Sequence, residues 1–243
     1  MHTNLPLRLM VLGLLLGFPL PAANYQVITV SNGGTIEGVV NLAASAPAVS
    51  PIKTKKNQDF CGMSIPNPLY ETGKGMGLKN VEVFIKGIQK GKPNPTGAVT
   101  LTNNHCMFEP RVQGASVGER LKMTSSDPIL HTVHPQVANN SATLYNIALP
   151  YKGFSVVKPL PALPELIRVK CDAHEWMRAW IWEFDHPYYG STNEEGRFKI
   201  TDVPPGTYTL VAWHELMGYR QKLVTIAPGK TVTVDFTFTP IGR

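Results

Sequence analysis

Short runs in which β-branched and aromatic residues alternate with polar ones recur along this chain: TIEGVV, VEVFIKG, RFKIT, TYTLVAW and TVTVDFTF. A period of two puts apolar side chains on one face of a strand, and no long stretch has apolar residues at i, i+3, i+4 and i+7, as an amphipathic helix requires. The 21 glycines and 21 prolines punctuate these runs. Short strands between turn signals predict an all-β protein built from sandwiches. A chain of 243 residues has room for one large or two small domains.

The ends and the cysteines bear on location. Arg8 precedes the apolar run Leu9 to Phe18 and the segment PLPAA, the order expected of a secretory signal cleaved after Ala22 or Ala23, so that residues 1–23 are a leader. The run is too short to span a bilayer, and an uncleaved anchor is the alternative. No cysteine lies near the cleavage site and no later run predicts a membrane helix. The expected location is periplasmic or secreted, where paired cysteines are bridged.

The candidate chemistry is concentrated in RVKCDAHEWMRAWI, which holds Cys171, His174 and Met177, and in DPILHTVH, which holds His131. Two imidazoles, a thiolate and a weak thioether suit copper cycling between its two oxidation states. Zinc is the next metal to consider, but a thioether ligand argues against it. A strand delivering Cys171 to a sandwich rim, followed by a turn, brings His174 and Met177 back to one point. His131 follows a Ser-Ser-Asp-Pro turn signal and comes from a neighbouring strand. His134, three positions on, faces the other side of that strand. The competing reading makes Cys171 a small buried hydrophobe, His174 a solvated loop residue and Met177 a core filler.

The Cys-two-His-two-Met spacing of CDAHEWM is similar to that of amicyanin-like cupredoxins. The preceding AVTLTNNHCMFEPRVQGASVGERLKMTSSDPILHTVH, with Phe108, Pro110, Val117 and Gly118, resembles the strands that lead to their first ligand. The resemblance covers about residues 97–184. It implies a Greek-key cupredoxin β-sandwich with one type 1 copper, equatorial His131, Cys171 and His174, and axial Met177. It also implies single-electron transfer, and with no open coordination position or general base evident in the sequence, no enzyme is expected. Where many cupredoxins have Asn after the first histidine, this chain has Thr132, which keeps the backbone donor to the cysteine sulfur but changes the side-chain tether. Trp176, between two ligands, shields the metal or belongs to an apolar docking patch, and His174 on an exposed loop is the expected exit for electrons.

Two further stretches, EEGRFKITDVPPGTYTLVAWHE and KLVTIAPGKTVTVDFTF, resemble the second half of a carboxypeptidase-regulatory-like, immunoglobulin-like domain. GGTIEGVV and NVEVFIKGI resemble its first strands. The expectation is one discontinuous sandwich from residues 24–92 and 185–243, with the cupredoxin part, 97–184, inserted in or packed against it.

Three cysteines leave one over. If Cys171 holds the metal, Cys61 and Cys106 remain as a pair; otherwise all three are free thiols. The basic KTKKNQDFCG and the GKGMG stretch read as loops rather than anion or phosphate sites. His105 reads as a surface residue. His214 and Glu215 lack a second histidine four residues on, so no zinc-protease helix is implied. Like His186, His214 is expected to hydrogen-bond near the domain junction, and Trp180 and Trp182 share a strand face and predict core or interdomain burial. Loss of the leader takes only Arg8 from 23 basic residues against 17 acidic ones, leaving a net charge of about +5. That favours a redox partner protein with an acidic surface, a cytochrome for example, and not nucleic acid. Two other functions fit less of the pattern: a non-redox accessory sandwich that binds other molecules, and copper storage or delivery.

Overall fold

The computed structural model describes residues 25–162 and 164–241; the leader expected over residues 1–23 lies outside them. The all-β expectation holds. Two sandwiches, each with its own buried cluster, account for nearly all regular structure.

The central sandwich is drawn from residues 98–184. One sheet runs in the order Ser155–Pro159, Arg120–Ser125, Ala98–Asn104, Met107–Glu109, and the other Ile147–Leu149, His131–Val137, Leu166–Lys170, Arg178–Phe184, Val112–Ser116. Arg120–Ser125 is parallel to Ala98–Asn104, and Arg178–Phe184 to Val112–Ser116, so the chain crosses between the sheets rather than meandering through each. Alternation works here as it does in isolated strands. In Arg178–Phe184, Ala179 and Ile181 point inward with Ile167, Val169, Val133 and Leu121, all buried, while Trp180 and Trp182 face outward. Each such aliphatic side chain taken out of water stabilises the fold by about 1.5–3 kcal/mol.

The flanking sandwich pairs distant segments. Glu82–Lys86 lies between Tyr189–Ser191 and Gly206–His214, with Gly218–Ile226 beyond. In the facing sheet, Gly34–Leu42 pairs antiparallel with Arg197–Val203 and parallel with both Thr231–Thr233 and Phe236–Phe238. Burial along Gly34–Leu42 alternates at every position, and its inward residues meet Phe236, Phe238, Leu210 and Ile85.

A third apolar cluster joins the two sandwiches. Phe84, Val211 and Trp213 of the flanking sandwich meet Val112, Phe184, Trp180 and Trp182 of the central one. Gly114 is needed at this seam because a β-carbon there would collide with the Tyr189 ring. Across the same seam Arg111 donates from Nε and Nη2 to the two oxygens of Glu215, with both side chains less than a tenth exposed. Trp180 Nε1 donates to Glu215 Oε2 at 2.9 Å, and Arg111 Nη1 to the carbonyl of Arg178 at 3.2 Å. His214 and His186 are buried. His214 Nδ1 accepts from the amides of Leu216 and Met217, His186 Nδ1 from that of Tyr188, and burial pushes both rings down to about 4.

Candidate metal centre

The central sandwich closes at one end over three donors. His131 opens its strand, Cys171 follows directly on Leu166–Lys170, and His174 sits in the tight loop before Arg178–Phe184. The loop is held by two backbone bonds, the Met177 amide to the His174 carbonyl at 3.0 Å and the Cys171 amide to the Met177 carbonyl at 3.3 Å. One donor atom each from His131, Cys171 and His174 lies within 4.8 Å of the others. The Nδ1 atoms of the two histidines are 3.0 Å apart, and Cys171 Sγ is 3.8 Å from His174 Nδ1. Met177 is fully buried in the same apolar cluster.

The outer nitrogens of the two rings decide the protonation. His131 Nε2 meets Asp127 Oδ2 and His174 Nε2 meets Asn57 Oδ1, both at 2.9 Å. Carboxylate and amide oxygens only accept, so each ring carries its proton on Nε2 and turns the Nδ1 lone pair inward. Burial lowers the affinity of both rings for a second proton, taking His174 to about 4. Two neutral imidazoles therefore point lone pairs at each other across 3.0 Å, beside a buried sulfur. That arrangement calls for a shared proton or a cation between them, and the donors are those of a soft, nitrogen- and sulfur-binding metal.

The surrounding contacts hold these donors in place. The Thr132 amide donates to Cys171 Sγ at 3.3 Å, and Thr132 Oγ1 accepts from the Asp172 amide at 2.7 Å. The side chain of Thr132 is thus the tether that binds the loop of residues 171–177 to the neighbouring strand. Asp127, 1% exposed, accepts from His131 and from the amides of His105 and Cys106, so one carboxylate fixes the His131 ring and the hairpin beneath it. His134 is outside the cluster, bonded to Asp172 and Thr143.

One expectation is corrected. His174 is not on an exposed loop; it is fully buried. The segment from Ile52–Lys53 to Ser64–Ile65 folds over it as a small antiparallel pair enclosing the short helix Gln58–Cys61. Asn57 heads that helix in a left-handed conformation, φ 52°, which aims its amide at His174. The cap is fastened by the Cys61–Cys106 disulfide and by Lys55 on Glu175 at 2.6 Å. Trp176 is buried too: its ring centroid is 5.0 Å from that of His174 and its Nε1 donates to the Cys106 carbonyl, so it walls the site rather than forming an apolar docking patch. A second grouping of Cys106, Asp127 and His131 offers no second thiolate, because Cys106 is in the disulfide.

Asn57 and Asp127 were not singled out in the sequence. Asp127 carries a local signal, four residues before His131 on a Ser-Ser-Asp-Pro turn. Asn57 carries none, being 117 residues from the ring it holds.

Comparison with known proteins adds context. A family model described as polysaccharide lyase family 4, domain II, an immunoglobulin-like fold, matches residues 172–234. No curated protein is significantly similar in sequence. Among solved structures, a purple cupredoxin from Nitrosopumilus maritimus aligns at 16% identity with a TM-score of 0.30, covering 35% of this chain and 98% of that one. An amicyanin mutant in its reduced state aligns at 15% identity and 0.32, covering 42% and 98%. A copper-containing nitrite reductase from Thermus scotoductus aligns at 18% and 0.29, covering 40% of this chain and only 24% of its own length.

Proposed function

We propose that this protein is an exported, cupredoxin-like single-electron carrier rather than an enzyme, in which His131, Cys171 and His174 would hold copper and Met177 would add a weak thioether donor. The observation that carries the proposal is the pair of inward Nδ1 lone pairs, 3.0 Å apart beside a buried cysteine. Bound copper would supply a one-electron couple, tuned by sulfur ligation and by the hydrogen bonds to that sulfur.

The chain's own residues do the rest. Asp127 and Asn57 fix ring orientation and tautomer, Thr132 donates to the sulfur and ties the loop, and the cap with Trp176 excludes water. Donors held on two strands and one stapled loop resist rearrangement between oxidation states. The disulfide supports an oxidising compartment, in keeping with the leader expected at residues 1–23. No helix among the described residues is long and apolar enough to cross a membrane. The flanking sandwich, which the sequence likens to a carboxypeptidase-regulatory-like domain, serves in this reading as a rigid support for the strand that leaves the ligand loop.

The test is to add Cu(II) to the metal-free chain and record visible absorption and electron paramagnetic resonance beside Cys171→Ser. An intense sulfur-to-copper band, lost in the variant and reversible on reduction, is expected. A colourless protein that holds only Cu(I) would favour storage or delivery. A protein that takes up no copper would leave the binding module.

A further inference from the structure

His174 is sealed, so the usual expectation that electrons leave by an exposed histidine edge meets an obstacle: Asn57, Trp176 and a disulfide-stapled segment lie over it. The donor that comes closest to solvent elsewhere is Cys171. It lines a surface depression of about 340 Å³ together with Arg168, Lys170, Asp172, Glu175 and Arg178.

The charges around that depression are unbalanced. Lys170 stands directly opposite His134 on one side and Arg178 on the other, and Arg168 is two positions along the same strand, on the same outward face. Like charges directly opposite one another in a sheet destabilise it. Among the described residues the carboxylates pair with Lys170 but with neither arginine of the row. Asp172 already binds His134 and Asn146, with Lys170 at 3.4 Å, and Glu175 is taken by Lys55. Among the described residues Arg168 reaches only the neutral Gln136 and Ser141. Among the described residues, exposed Arg178 has no ion-pair partner. The flanking sandwich covers the rest of this face, through Trp180, Trp182 and Phe184, and leaves Arg178 exposed and Lys170 and Arg168 half-buried.

We propose that the protein exchanges electrons through this Cys171 face, with a partner protein that presents carboxylates to Arg168, Lys170 and Arg178. The inference rests on the copper reading above. The arginines draw in the partner's carboxylates, and the ligand strand that ends at Cys171 forms the floor of the contact.

The test has two arms. In the first, the full chain without metal is titrated with hexacyanochromate(III), a paramagnetic trianion, while backbone amide resonances are followed. Broadening centred on residues 168–172 and 178, relieved by poly-L-glutamate, is expected. Broadening centred elsewhere, or trianion binding that poly-L-glutamate does not relieve, overturns the protein-partner assignment. In the second arm, the copper-loaded protein is mixed with ferrocyanide and with hexaammineruthenium(II) at low ionic strength. Arg178→Glu and Arg168→Glu, or the milder Arg178→Gln, should slow electron transfer with ferrocyanide by about tenfold, within the range of electrostatic steering. Lys122→Glu, an equal charge change on an exposed residue of the other sheet, should not. Equal slowing by Lys122→Glu overturns the proposal, as does a faster reaction when Asn57→Ala uncovers His174. If no copper site forms, only the second arm is lost and the first still reports on the surface.

Discussion

The ion pair at the seam lends itself to a quantitative test. Glu215 receives three donors: two from the Arg111 guanidinium and one from the Trp180 indole. Both charged side chains are less than a tenth exposed. Removing the carboxylate by Glu215→Ala strands a buried guanidinium. The cost of breaking such a pair is about 3–5 kcal/mol, far above the 0–1 kcal/mol of an exposed one. Replacing both partners, Arg111→Met with Glu215→Leu, leaves no orphan charge and should recover most of that loss. Because Arg111 also holds the Arg178 carbonyl, at the start of the strand leaving the ligand loop, the single variant should also shift the copper absorption band. Urea unfolding of wild type, Arg111→Met, Glu215→Leu and the double variant closes the cycle, with Glu215→Ala measured beside it and midpoints and slopes read together to separate the transitions of the two sandwiches. A Glu215→Ala loss below about 1 kcal/mol would refute the buried-pair argument.

Three further outcomes follow from the same contacts. Glu82 is fully buried at the seam, with Ser191 as its only hydrogen-bond partner among the described residues, and burial raises its carboxyl to about 8. A carboxyl whose affinity for protons rises on folding loses stability as pH rises from 4.5 toward 8. Glu82→Gln should therefore match wild type near pH 4.5 and exceed it by about 3 kcal/mol at pH 7, as denaturant curves at both pH values would show. The Cys61–Cys106 bridge spans 45 residues, so Cys61→Ser with Cys106→Ser should cost about 4 kcal/mol by chain entropy. It should also speed removal of copper by a chelator, because the cap is then held mainly by Lys55 and Asn57. Thr132→Val removes the bond to the Asp172 amide and the weak 3.8 Å hydroxyl contact to Cys171 Sγ but keeps the backbone donor to sulfur. A loss of about 1 kcal/mol with the copper band retained is expected, and loss of the band would place the tether at the centre of the site.

Strand periodicity made the all-β class legible, because alternation of inward and outward residues depends only on local order, as along Gly34–Leu42. The candidate metal site could be read because three of its four residues lie within seven positions and the fourth follows a turn. What escaped the sequence depends on which loop crosses which sandwich end. Lys53 to Gly62 reads as a solvated basic loop, yet it carries Asn57 onto His174, and only the tertiary path shows it. Glu215 next to His214 invites a metal reading, but its partner lies 104 residues away and is an arginine. Glu82 begins a strand, where charge ordinarily meets water, and is buried only because the second sandwich covers it.

The pairing of Gly34–Leu42 has a consequence for how the molecule comes into being. Every strand it pairs with lies beyond residue 196. A chain emerging amino end first gives this apolar strand only the bridge from Asn41 to Gly77 until the strands beyond residue 196 are out, which makes long-range pairing slow and leaves backbone edges open to other chains. The central sandwich has no such wait. All its strands lie between residues 98 and 184, so the candidate metal pocket can form while the flanking half is still incomplete. Cys61 and Cys106 also emerge before Cys171, free to join each other while the third thiol has yet to appear. The linear order of the sequence thus acts as a schedule, in which the staple and the pocket come first and the support comes last.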